Sequence, residues 1–130
     1  MSEIEVLIEF KKNLVMFLDE LIESFPQEGD LIVFRIFIND QAPIKDVVDA
    51  FNYNINKDDQ NLRRMVKDKN EHFFLENDPF NLANETQESV NHFKTLWRSG
   101  KLDKEDKNVI WRWITTFVYL GDKFAQSKRA

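Results

Sequence analysis

The sequence predicts an all-α protein, a compact bundle of six to seven helices forming a single helical domain over residues 1–130. Three observations carry that reading. Apolar residues recur at intervals of three and four along most of the chain, the period of a helix with one buried face. Caps and breakers fall where those periodic stretches begin and end. Just three glycines and three prolines interrupt 130 residues, few for a protein built from tight turns.

The first helix begins at Ser2, whose spacing to Glu5 is that of a capping box. Ile4, Leu7, Leu14, Phe17, Leu18, Leu21, Ile22 and Phe25 supply its apolar face, Pro26 ends it, and Gln27, Glu28 and Gly29 turn the chain. Residues 31–38 read two ways. Leu31, Ile32, Val33, Phe34, Ile36, Phe37 and Ile38 would suit a buried strand. Asp30 as an N-cap and the lack of any second strand to satisfy the backbone favour a buried helix.

Pro43 suits the first turn of a helix running to about Asn54, with Val47, Val48 and Phe51 inward. Asp58 or Asp59 could cap the next, through Leu62, Met65 and Val66, with a short continuation over 71–76. Residues 77–81 read as a loop, and a helix from about Glu85 carries Val90, Phe93, Leu96 and Trp97 as far as Gly100. The last helix starts at Asp103, with Glu105 and Asp106 in its first turn, where negative charge complements the helix dipole. Ile110, Trp113, Phe117, Leu120 and Phe124 form its main stripe, and Trp111, Ile114 and Val118 a second flank. Trp111 and Trp113 point about 200° apart on a helix. That places Trp113 in the core and Trp111 nearer the surface, with residues 126–130 frayed.

Composition narrows the chemistry. There is no cysteine, hence no disulfide, thiolate nucleophile or Cys-based zinc site. A net charge of −5 argues against general nucleic-acid binding, which rests on neutralising phosphates. No apolar run approaches the roughly 20 residues of a membrane span, and Met1, Ser2, Glu3, Ile4 and Glu5 lack the basic-then-apolar layout of a signal peptide. A cytoplasmic setting is expected. The 12 phenylalanines, beside many Asn, Lys and Ile, fit an AT-rich coding sequence better than a binding mechanism.

No catalytic constellation emerges. His72 and Glu76 share a helix face at i, i+4, but two ligands do not make a metal site and the HExxH pair is missing. Asp19, Glu20 and Glu23 read as a solvated helix face rather than the opposed carboxylates of a hydrolase. Asn54, Asn56 and Asp58 alternate like the start of a calcium loop, yet Asp59 replaces the turn glycine and Met65 the bidentate glutamate. No cofactor is expected. Arg63, Arg64, Lys67 and Lys69 form the densest basic cluster, diluted by Asp58, Asp59, Asp68 and Glu71. A salt-bridged surface or an acidic partner would each explain it. Two faces packed inside the bundle would explain the Trp111 and Trp113 pair as well as an exposed anchor at Trp111 does; Trp111, as that anchor, and Arg63, Arg64 and Lys67 are the candidate partner-binding residues.

Four segments carry a resemblance: FLDELIESFP (17–26), RIFINDQAPI (35–44), FFLEN (73–77) and LDKEDKNVIWRW (102–113). Together they resemble a family of small helical proteins of nucleocytoplasmic large DNA viruses, the giant viruses of algae and protists. The likeness runs over most of the chain, and none of its motifs is a catalytic signature. It implies a viral origin, a host-cytoplasmic setting and a place in the virion or in host manipulation. The expected function is that of a non-enzymatic protein–protein interaction protein, a small viral structural or assembly component. Its partners would be viral proteins, with self-association left open. The alternatives are a host-directed adaptor holding a partner helix in an apolar groove, or an enzyme or nucleic-acid factor with an unrecognised site. An exposed apolar patch favours the first, an open groove the second, and a cleft of converging polar groups the third.

Overall fold

Ser2 starts the first helix, as its spacing to Glu5 predicts: its hydroxyl oxygen accepts from the Glu5 backbone N–H at 3.2 Å and donates to the Glu5 carboxylate at 3.0 Å. A computed structural model of the protein describes residues 2–57, 61–75 and 87–129. Among these the chain forms α1 (Glu3–Ser24), α2 (Gly29–Ile36), a π-helical turn (Phe37–Gln41), α3 (Ile44–Asn56), α4 (Asn61–Lys67), α5 (His72–Leu75), α6 (Gln87–Arg98) and α7 (Lys104–Arg129). No strand occurs among the described residues, so the helical reading of 31–38 holds. The expected caps at Asp58 and Asp59, the loop at 77–81 and the start near Glu85 lie outside the described residues.

α2 begins two residues earlier than expected, with Glu28 rather than Asp30 at the N-cap and no side chain capping it. It runs straight into the π-turn, where the Ala42 N–H reaches back to the Phe37 carbonyl at 2.8 Å. α6 ends at Arg98, and Gly100 adopts φ 81°, a left-handed conformation that favours glycine. Asp103 caps α7: its carboxylate accepts from the Asp106 N–H at 2.8 Å, and the Asp106 carboxylate accepts from the Asp103 N–H at 3.2 Å. The fraying expected over 126–130 is not seen as far as Arg129, and Ala130 lies outside the described residues. Helix persists to Arg129, because Lys128 pairs with Asp49 of α3 at 3.0 Å and lies over the Phe124 ring.

The bundle is built on α7, which packs against α1, α3 and α4, while α2 lies between α1 and α6. Phe117, fully buried, joins three of these helices through Phe10 and Phe17 of α1 and Phe51 of α3, with ring centroids 5.4, 5.7 and 6.3 Å away. The face of α1 differs from the expected one at its start. Val6 and Phe10 are buried and Ile4 is 70% exposed, because they extend the four-residue ladder back from Leu14 while Ile4 points across the helix.

The two tryptophans of α7 are reversed relative to expectation. Trp111 is 4% exposed, inside a second aromatic cluster with Phe73 of α5 at 5.7 Å and Trp97 of α6 at 6.0 Å. Trp113 is the partly buried one, at the edge of the α1–α7 contact. The stripe Ile110, Phe117, Leu120 and Phe124 is buried as predicted. The second flank is buried too, at Trp111 against Phe73 of α5 and Trp97 of α6, and at Ile114.

Close approach at the far end of α7 depends on a missing side chain. A Cβ at Gly121 would clash with Oδ1 of Asn52, whose Nδ2 donates to the Gly121 carbonyl at 3.0 Å. No helix among the described residues is long and apolar enough to cross a membrane.

Candidate functional site

A trough lies between the C-terminal half of α1 and the N-terminal half of α7. Its deeper bay, about 260 Å³, is walled by Phe17, Leu21, Phe25, Leu102, Ile110 and Trp113. Glu20, Glu23, Ser24 and Asp106 stand at its rim. The apolar walls follow from the helix period: Phe17, Leu21 and Phe25 occupy successive turns of one α1 face.

Trp113 forms the partition. Its indole N–H donates to the Glu20 carboxylate at 2.7 Å, across 93 residues of sequence, while its ring stacks on Phe117 and leans on Phe17. Beyond it lies a more open bay of about 440 Å³ that shares Glu20, Val109 and Trp113 and is otherwise lined by Asn13, Arg112 and Thr116. One bay is therefore apolar with an acidic rim, and its neighbour is polar with a single cation.

A second cluster ties α2 to α6. His92 Nε2 meets the Glu28 carboxylate and His92 Nδ1 lies 3.1 Å from the Asp30 carboxylate. Lys101 Nζ reaches Glu28 at 3.4 Å, and the Ser89 hydroxyl donates to the Asp30 carbonyl at 3.3 Å. The hydrogen bond from His92 and the charges of His92 and Lys101 hold the Glu28 carboxyl below its ordinary value, against an opposing effect of burial. The two carboxylates address opposite ring nitrogens, so they cannot converge with the imidazole on one ion. No metal-ligand cluster exists among the described residues. This is a clamp between elements.

The four candidate partner-binding residues do not share a surface. Trp111 lies in the core, because α5 and α6 close over it, and cannot serve as an exposed anchor. Arg63 is bound in a fork by Asp122 of α7, with Nη1 at 3.1 Å, and its Nε donates to Asn56 at 2.6 Å. Those Asp122 hydrogen bonds raise the guanidinium above its ordinary value. Arg64 and Lys67 remain exposed on α4. Of the calcium-loop residues, Asn54 is buried in α3 and Asn56 is bonded to Arg63, while Asp58 lies outside the described residues. His72 caps no site that can be described, since its expected companion Glu76 lies outside the described residues.

What the sequence reading missed is the trough. Asp19, Glu20 and Glu23 are exposed, as a solvated face requires, and in addition Asp19 pairs with Arg35 of α2 at 2.5 Å, Glu20 holds Trp113, and Glu23 lines the bay. One signal was present: two acids interleaved with Leu21 and Phe25 on a helix that must pack against something.

No known protein decides the matter. No family model matches the chain, and no curated protein or solved structure matches it either.

Proposed function

We propose that this protein is a non-enzymatic interaction module that docks a partner protein in the trough between α1 and α7. The observation that carries the reading is the apolar bay walled by Phe17, Leu21, Phe25 and Trp113 under a carboxylate rim. Aromatic and aliphatic walls give a partner side chain a dry seat, and Trp is among the residues most often found as binding hot spots. Trp113 takes over the anchor role that the sequence suggested for Trp111. An open groove suits an adaptor for a partner's amphipathic segment. A viral assembly or virion-associated component, the setting the resemblance implies, would also use such a surface. Exposed Ile32, Val33 and Ile36, spaced along the outer side of α2, support that second form.

A photo-crosslinking amino acid at Glu23 or Arg112, on the rims of the two bays, tests the reading against the same probe at exposed Tyr53 of α3. In the cells that make the protein, a discrete crosslinked partner is expected from the rim positions and none from Tyr53. Equal or absent crosslinking from the rim would overturn the proposal.

A further inference from the structure

The deeper bay is small and one-sided in charge. Its volume of about 260 Å³ falls below the roughly 300–1,000 Å³ of sites that enclose cofactors and drug-sized ligands, and matches one or two side chains instead. Among the described residues that line it, the side-chain donors are the Trp113 N–H, already given to Glu20, and the Ser24 hydroxyl at the rim. Every charged residue lining it is acidic: Glu20, Glu23 and Asp106. The chain as a whole carries −5. A ligand seated there gains apolar burial below and meets negative potential above.

We propose that the bay receives an aliphatic or aromatic side chain of a cationic partner segment, whose flanking Lys or Arg residues meet Glu20, Glu23 and Asp106. The inference rests on the interaction-module reading and names the chemistry of its partner. The three acids are not equivalent. Glu20 is held in place by the Trp113 N–H at 2.7 Å, so it presents a fixed oxygen to an arriving cation. Asp106 is engaged in the α7 cap, and Glu23 stands on the exposed side of α1. Glu23 therefore loses the least intramolecular bonding on pairing with a partner. Charge complementarity of this kind steers encounter and rejects like-charged competitors more than it adds raw affinity. A second copy of this chain would bring the same net negative charge, which sets it against this seat.

The test uses the intact chain and three short synthetic peptides: leucine and lysine at helical spacing, the same with glutamate for lysine, and the same with alanine for leucine. Affinity is read by fluorescence anisotropy and location by the NMR shift of the Trp113 indole N–H. The lysine–leucine peptide should bind about tenfold or more tightly than either control, weaken with added salt, and shift the Trp113 signal. Glu20→Gln and Glu23→Gln together should weaken it about tenfold, and Glu20→Gln retains an oxygen for the Trp113 bond. Tyr53→Phe, on the exposed side of α3, should change nothing. Equal affinity for the lysine and glutamate peptides, indifference to the two Gln substitutions, or concentration-dependent self-association through the bay would overturn the proposal. If the rim crosslinks a partner while peptide binding is blind to charge, the cationic assignment falls and the module reading stands. If neither engages the trough, both fall.

Discussion

Trp111 and Trp113 stand two residues apart on α7 and occupy opposite kinds of environment. Trp111 sits among Phe73 and Trp97, closed over by α5 and α6. Trp113 packs on Phe17 and Phe117 but keeps an edge open to the trough, with its polar atom given to Glu20. The difference lies in what covers each flank of the helix. A helix covered on both flanks has no free face from which to bind, so binding capacity concentrates where cover is incomplete. One tryptophan holds the bundle together and the other borders its open seam.

The strongest way to break this contrast is truncation. Trp111→Ala should cost about 3–5 kcal/mol in a denaturant melt, from lost apolar transfer plus an unfilled cavity. Trp113→Ala should cost clearly less, since part of its surface is already wet. Equal losses would mean that the trough is closed in solution.

At the other end of α7, tight cover can be probed from the opposite direction. An alanine normally gains about 1 kcal/mol over glycine inside a helix. At Gly121 the new Cβ would meet Asn52 Oδ1, and such overpacking costs about 1–3 kcal/mol. Gly121→Ala should therefore be neutral to destabilising alone and become stabilising when combined with Asn52→Ala. Thermal melts of the two single variants and the double variant would decide it.

Trp113→Phe sharpens the comparison on a smaller scale. It keeps most of the ring and removes the N–H to Glu20, a loss of about 0.5–1.5 kcal/mol. The corresponding Glu20→Gln should be milder, because an acceptor remains.

The smallest effect concerns the clamp between α2 and α6. Glu28 is held below its ordinary value of 4.5, chiefly by the His92 hydrogen bond. A carboxyl depressed on folding contributes stability that is complete above the unfolded value and is lost as pH falls through the folded one. Melting temperature should therefore fall on acidification below about pH 4.5, and His92→Gln should flatten that slope by lowering the melting temperature above that pH, the two curves converging in acid.

The helices were legible because caps and periodicity are local. Ser2, Pro43, Gly100 and Asp103 each mark a boundary within a residue or so of where it lies. The inward face was legible on α3, where Val47, Val48 and Phe51 are buried as their spacing predicts. Faces were not legible on α7, since periodicity shows which residues share a face and not how many faces the fold will cover. The trough was hidden for the same reason. Its decisive bond joins Glu20 to Trp113, and the clamp joins Glu28 to His92 across 64 residues. No spacing rule reaches that far, and exposed acids on a helix look alike until the opposing helix is in place.

The pairing of α1 with α7 also sets a timetable. About 80 residues separate the end of α1 at Ser24 from the start of α7 at Lys104. At roughly 5–20 residues per second, a ribosome needs on the order of 4–16 s to cover that distance. Throughout that interval Phe10 and Phe17 wait without Phe117, the residue that joins them to α3. Synthesis must run well into α7 before the core can close, so a nascent chain stalled short of residue 117 presents an uncovered aromatic face to chaperones.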